Sequence, residues 1–406
     1  MKSGDSSEIQ KINVLCVVDF YFPGFRGGGP LQTIKNMCKL LEGHVDFKIF
    51  TRNHDKGQVK PYDKPANSWT YHNDDLVYYA SKEKFSFIGL NSAIKGQSID
   101  LIYINSFFSF SSSIRILIGL AFFGPELPII LALRGEFSSG ALALKSTKKR
   151  AYIILARAFG LYRDVHWHAS TEEEKDDILR QFPRATRIHL AEDPVHLDAD
   201  LPVPAASTPP RQDNLRLVFI SRISPMKNLD GLLRLLATLS QSIELDIFGP
   251  IEDRIYWASC EALISKLPPQ IRVTWKGELE PDAVSPTFAN YDLFAFPTHG
   301  ENFGHVIFEA LRAGTPVLIS DRTPWKTDGG GAITAVDFDD TESWRAQLMQ
   351  AAKRKDSERA RLRDAALFYA ENYARASGAL ARNLAMFKAA GDDGLGRTTF
   401  LQPDIT

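Results

Sequence analysis

The chain has 406 residues, 44% of them hydrophobic and 24% charged, with 48 Lys and Arg set against 49 Asp and Glu. That length exceeds one ordinary core and predicts two domains of a soluble globular protein, and the net charge of −1 excludes a global field drawing the chain to nucleic acid. Cys16, Cys38 and Cys260 lie far apart, which excludes a disulfide framework or a spaced metal site and fits a reducing cytosol.

The polar start leads into a short apolar run without the layout of a signal peptide, so no export is expected. "INVLCVV" reads as a buried strand and "PLQTIKNMCKLL" as the helix after it, with "FPGFRGGG" as the loop between. In G-x-G-x-x-G register from Gly27 the last position is Gln32, so a nicotinamide or flavin enzyme has little support. "VDFKIF" and "DLIYIN" are further strands. The apolar window Ile114 to Leu133 is broken by Gly124, Pro125 and Pro128, so it reads as buried helix, turn and strand, neither half long enough to span a bilayer. From Phe137 to Arg163 there are six cations and no acid around "AYIILARAF", a pattern that fits either a core-packed helix or a basic helix (residues 141–163) on an anionic membrane surface. His166 and His168 follow on a strand, where a histidine is usually structural.

"HLDADLPVPAASTPPRQDN" carries four prolines and reads as a linker. Beyond it "LRLVFIS", "IELDIFG", "IRVTWKG", "YDLFAFP" and "TPVLIS" repeat the strand theme, with helices such as "NLDGLLRLLATL" and "HVIFEALRA" between them. This alternation predicts parallel sheets covered by helices on both faces. The expected division is 1–197, a linker over 198–213, and 214–377. A helix over about 378–390 returns to the first domain, and a disordered tail spans 391–406. Trp325 and the glycine triplet after it are expected beside the ligand.

"THGEN" is a loop after a strand's carboxyl end, and Gly314 is placed to end the helix that follows. A helix starting near Asn302 to Gly304 offers free backbone N–H groups and a positive dipole end to an anion or to sugar hydroxyls. Glu301 then stands at its mouth, with Glu309 two turns along. By themselves two glutamates are most often solvated surface charges.

"ENFGHVIFEALRAGTPV" resembles the Glu-x7-Glu signature of the group 1 family of retaining nucleotide-sugar glycosyltransferases, and "SRISPMKN" resembles its donor-diphosphate motif. "IFGP" and "VTWKGEL" resemble its nucleobase segments, and "FPGFRGGGPLQTIKNM" its N-terminal glycine loop. The resemblance implies the GT-B fold: two Rossmann-like, doubly wound parallel-sheet α/β domains facing a cleft. It implies that Arg222 and Lys227 hold the donor diphosphate, Glu301 with the N–H groups of Asn302, Phe303 and Gly304 the sugar, and Glu309 the ribose. Gly249, Pro250, Gly277 and Glu278 would make the rest of the donor site, with Gly28 and Gly29 nearest the transferred sugar and phosphate. Arg134 and Glu136 stand on the acceptor side, where many relatives place a histidine, and "HLAEDPVHLD" replaces the family's usual Pro-Asn-Gly hinge.

The implied activity is metal-independent, cofactor-free, retaining transfer of a sugar to a glycan or lipid-linked acceptor, in bacterial surface-polysaccharide assembly, in the cytoplasm or on the inner face of its membrane. The alternatives are a sugar-nucleotide 2-epimerase of the same architecture and a catalytically decayed nucleotide-sugar-binding protein. A glycoside hydrolase needs carboxyl groups roughly 5 to 9 Å apart, whereas Glu301 and Glu309 would lie about 12 Å apart if the helix were continuous.

Overall fold

A computed structural model describes residues 11–143, 146–195 and 214–398. The chain divides into unit 1, residues 1–196 with 377–406, and unit 2, residues 197–376. The expected linker, 198–213, lies outside the described residues.

Unit 1 is built on eight strands: β1 (Ile12–Val17), β2 (Val45–Arg52), β3 (Trp69–His72), β4 (Asp75–Ala80), β5 (Leu101–Ile104), β6 (Ile129–Ala132), β7 (His166–Ala169) and β8 (Ile188–Leu190). Their order is β3-β4-β2-β1-β5-β6-β7-β8. All pairs are parallel except β3 with β4. Because side chains alternate along a strand, Val14 and Cys16 of β1 enter one core and Leu15 and Val17 the other.

On the first face, helix α1 (Gly29–Leu40) buries Leu31, Ile34 and Met37. The second face is covered by α2 (Phe87–Ala93), α3 (Arg115–Phe123), the short α4 (Ser139–Ala143) with α5 (Ser146–Ala158), and α6 (Glu172–Gln181). In α6 the Thr171 hydroxyl accepts from the Glu174 N–H, three glutamates fill the first turn and Arg180 the last, a charge order that complements the helix dipole.

Unit 2 has six strands, all parallel: β9 (Leu215–Ile220), β10 (Ile243–Phe248), β11 (Ile271–Trp275), β12 (Leu293–Phe296), β13 (Val317–Ser320) and β14 (Ile333–Val336), in the order β11-β10-β9-β12-β13-β14. Helices α7 (Leu229–Leu236), α8 (Arg254–Ile264), α9 (Pro281–Phe288), α10 (His305–Arg312), α11 (Thr341–Lys353) and α12 (Asp356–Ala376) complete it. Helix α10 is strongly amphipathic, burying Ile307, Phe308, Ala310 and Leu311.

Three expectations change. "WTYH" and "DLVYYA" form a hairpin that the sequence reading did not include; it turns on Asn73, held at φ 51°, and Asp74. The Ala- and Arg-rich stretch from Ala351 to Arg382, whose composition predicts helix packing back on the first domain, does not return to unit 1 as a whole. Its helix α12 stays in unit 2 against α10, and only the next helix, α13 (Ala379–Thr398), belongs to unit 1. Residues 391–398, expected in a disordered tail, continue that helix despite three glycines. Helix α13 is held by burial of Met386, Phe387 and Ala390 against the sheet, a tertiary gain that outweighs poor helix propensity.

Phe387 is fully buried and packs edge-on against Phe47 at 5.5 Å. Phe387→Ala is expected to destabilise unit 1 by about 3–5 kcal/mol. Denaturant unfolding should show its transition moving to lower denaturant, and an unchanged midpoint would mean that α13 does not complete this core.

Candidate functional site

In unit 2 the chain leaves β9 towards β10 on one side and leaves β12 towards β13 on the other, so their neighbouring carboxyl ends form the switch point where open α/β sheets bind ligands. The loop after β9 holds Arg222, a tight turn Pro225–Lys227, and Asn228 in left-handed conformation at the start of α7. The loop after β12 holds Thr298 to Gly304. Backbone and side chains stitch the two together. The His299 N–H and the Thr298 hydroxyl both donate to the Met226 carbonyl, at 2.9 and 3.1 Å, and the Asn228 amide donates to the Pro297 carbonyl at 2.9 Å.

This stitching brings Lys227 and Glu301 into direct contact. Lys227 is buried, with its Nζ 5.5 Å from the Phe296 ring centroid, and the Glu301 carboxylate supplies the counter-charge that a buried ammonium needs. Arg222, from the same loop as Lys227, is half-exposed and donates to both Glu252 oxygens at 2.7 and 2.9 Å. Each of the two expected diphosphate cations therefore already faces a carboxylate.

Glu301 lies in the loop, not on the helix. Gly304, at φ 81°, caps α10, whose first residue is His305, so the helix expected from Asn302 begins later and no continuous helix joins Glu301 to Glu309. Left-handed backbone at that position favours glycine. Glu309 sits mid-helix and half-buried; Asn302 is half-buried and Phe303 buried. Trp325, expected to line the donor, is buried instead: its indole N–H donates to the Phe303 carbonyl at 2.5 Å and its ring packs on Phe303 and Tyr373. It supports the Glu301 loop from beneath, because a large apolar ring following β13 gains more from burial than from solvent.

The β10 loop completes this edge. Gly249, at φ 128°, donates to the Gly277 carbonyl at 2.8 Å, and a Cβ there would lie 2.0 Å from the Ser221 carbonyl oxygen. Glycine is thus required for this loop to pass the Arg222 loop, which the Ile223 N–H to Pro250 carbonyl bond also ties down. Pro250, Gly277 and Glu278 are half-buried.

In unit 1, Gly28 (φ 69°) precedes α1 and Gly29 begins it. The Asp55 carboxylate, which the sequence reading missed, accepts the N–H groups of Phe25 and Arg26 and so fixes this loop. Arg134 and Glu136 follow β6, with both side chains turned into internal networks. Arg134 pairs with Asp193, donates to Asn105 at 2.7 Å and touches the Tyr103 hydroxyl. Tyr103 in turn bonds His168 Nδ1 at 2.8 Å, and His168 Nε2–H donates to the Ala191 carbonyl at 2.7 Å. Burial, followed by the Arg134 charge, pushes the His168 imidazole down to about 3, so it is neutral. Glu136 accepts from the N–H groups of Phe107 and Phe108 and from Ser106, and burial raises its pKa. Asp193 lies in the very segment, "AEDPV", that departs from the family hinge.

Residues 205–364 match the sequence profile of the family described as glycosyl transferases group 1. A D-inositol 3-phosphate glycosyltransferase of Xylanimonas cellulosilytica is 31% identical over 210 residues, 48% of this chain and 50% of that protein. The chain spans about half the length of the curated relatives it matches. Among solved structures, HepE (Alr3699) of Anabaena, in complex with UDP and glucose, superposes with a TM-score of 0.63 at 15% identity, covering 96% of this chain and 100% of that one. Sucrose-phosphate synthase of Thermosynechococcus elongatus does so with 0.65 at 16%, covering 96% and 99%. The chain therefore has the GT-B fold, and its residues 205–364 are similar to the group 1 glycosyl transferases.

Proposed function

We propose that this protein is a retaining glycosyltransferase that moves a sugar from a nucleotide-diphosphate sugar to a glycan or lipid-linked acceptor, in bacterial surface-polysaccharide assembly. The observation that carries this reading is the meeting of Lys227 and Glu301 at the switch point of unit 2, within the region matching the family profile. A donor diphosphate takes Lys227 and Arg222 from the carboxylates that neutralise them, because its two negative charges, spread over several oxygens, can engage both cations at once. Glu301, released from Lys227, then faces the sugar hydroxyls with the backbone N–H groups from Asn302 to Gly304, and Glu309 takes the ribose.

As the bond between the anomeric carbon and the phosphate oxygen breaks, charge grows on the leaving diphosphate, and cations already aimed there stabilise the transition state more than the ground state. The acceptor oxygen attacks from the face the phosphate leaves, and its proton passes to a phosphate oxygen, so configuration is kept. Two side-chain cations and a row of backbone N–H groups perform this stabilisation without a metal. Gly249, Pro250, Gly277 and Glu278 border the nucleobase. In unit 1 the backbone of Gly28 and Gly29 serves the sugar and phosphate, and Arg134 and Glu136 act as positioning residues for the acceptor side. The inositol-phosphate relative favours a second acceptor class, a phosphorylated cyclitol.

Among the described residues no helix is long and apolar enough to cross a membrane. Unit 1 nevertheless exposes Phe122 (73%) and Phe123 (79%) at the end of α3 and Phe159 (85%) just after α5. Lys148, Arg150, Arg157 and Arg163 are exposed on or beside α5. Exposed apolar side chains on an element that also exposes cations suit the surface of an anionic bilayer, which would bring the enzyme to a lipid-linked acceptor.

Incubation with a panel of nucleotide sugars and acceptors, with the product anomer read by NMR, tests the reaction. Retained configuration and rates unchanged by EDTA are expected; epimerised donor formed without acceptor would replace the reading with the 2-epimerase, and binding without turnover with a decayed protein. Lys227→Ala and Arg222→Ala should lower kcat by on the order of a hundredfold, while Glu309→Ala should chiefly raise the donor KM, by on the order of tenfold. A Lys227→Ala enzyme with normal turnover would overturn the diphosphate assignment. Vesicles rich in anionic lipid should carry the protein on flotation at low salt, less so after Phe122→Ser/Phe123→Ser, and equal flotation of the double variant would refute this contact surface.

A further inference from the structure

The opposite edge of the unit 2 sheet, where strands begin, holds a second cluster of cations. A recess there is lined by Leu215 at the start of β9, Asp292 just before β12, Pro316 just before β13, and by Arg354, Arg359 and Arg363. It encloses about 10 Å³, room for one water-sized atom, and is partly open to solvent. Strands of four to six residues place it roughly 13–20 Å from the Lys227 edge.

The donors in this recess outnumber the acceptors that reach them. Three guanidinium groups face one lining carboxylate, Asp292, which also accepts the Arg216 N–H at 2.9 Å. Arg359 reaches Asp292 only at 3.4 Å, and Arg354 reaches Glu358, at the rim, only at 3.8 Å. Arg363 gives its two terminal nitrogens to the carbonyls of Tyr291 and Ala289. The Nε–H groups of all three arginines are buried without a hydrogen-bond partner among the described residues. Arg363 is only 5% exposed. Buried donors of this kind are costly unless satisfied. Burial lowers the pKa of both Arg354 and Arg363; Glu358 and Asp292 oppose that shift for Arg354, and Asp292 and Asp364 oppose it for Arg363.

We infer that this recess is an anion site, distinct from the donor site, that takes a phosphoryl or sulfuryl oxyanion with one oxygen seated among Arg354, Arg359 and Arg363 and the remainder in the open mouth. Guanidinium groups match oxyanion geometry, and the enclosed space admits one oxygen while excluding a larger rigid group. A bound oxyanion supplies acceptors for the unpartnered Nε–H groups and ties the first turns of α12, which carry Arg359 and Arg363, to the sheet. The ion is either free phosphate or the phosphoryl end of a metabolite.

Thermal unfolding of the full chain in phosphate, against chloride at matched ionic strength, tests the site. Inorganic phosphate is expected to raise the midpoint by about 2–4 °C more than chloride. That increment should vanish in Arg354→Gln and in Arg359→Gln but persist in Lys227→Ala. Glucose 6-phosphate run in parallel separates the sources: a larger increment than with inorganic phosphate points to a phosphorylated metabolite, and an equal one to the free ion. Equal midpoints in phosphate and chloride would overturn the site. So would an increment that survives both arginine variants and disappears in Lys227→Ala, since that would place the ion at the donor edge instead.

Discussion

A parallel strand can be followed by another only through a crossover, and this constraint organises the molecule. Each crossover leaves a carboxyl end, so every loop that begins at one falls on the same edge of its sheet. In unit 2 the strand order reverses direction between β9 and β12, and the two loops flanking that reversal are the ones that carry Lys227 and Glu301. The residues are 74 apart in sequence and are brought into contact because β9 and β12 are hydrogen-bonded neighbours. Two further features keep the contact in place: Gly249 lets the β10 loop pass, and Trp325 holds the Phe303 carbonyl from below.

The chain manages buried positive charge in three ways. Lys227 has one carboxylate partner, Glu301, a pairing that an anionic ligand can exchange. Arg134 is bound by Asp193, Asn105 and Tyr103 together, so moving it breaks several bonds at once, and it behaves as a fixed part of unit 1. The arginines at the base of unit 2 have carboxylates nearby, yet their Nε–H groups are buried without an acceptor among the described residues.

Much of the fold was legible in sequence because buried parallel strands and amphipathic helices have distinct periods. "LRLVFIS", "IELDIFG", "YDLFAFP" and "TPVLIS" all became strands of one sheet, and "HVIFEALRA" became α10. The β3–β4 hairpin was not read, although "WTYH" and "DLVYYA" flank a two-residue Asn-Asp turn, because its outer strand is only partly buried and lacks an apolar run. The extent of α13 was missed because its glycines signal disorder, while its helicity comes from packing on residues hundreds of positions away. Among site residues, Arg222, Lys227, Glu301 and Gly249 stood out in local motifs. Their partners Glu252 and Trp325, like Asp55 and Asp193 in unit 1, carry no local signal that says what they will touch.

The amino-acid order by itself determined the alternation of strands and helices, the glycines at turns no other residue fits well, and the types of residue at each loop, because these depend on neighbours within a few positions. Tertiary structure alone decided which charges meet: Glu301 against Lys227, Glu252 against Arg222, Asp193 against Arg134, and Asp292 beneath three arginines. Electrostatic energy depends on separation in space and on burial, and neither is fixed until the strands have taken their order in the sheet.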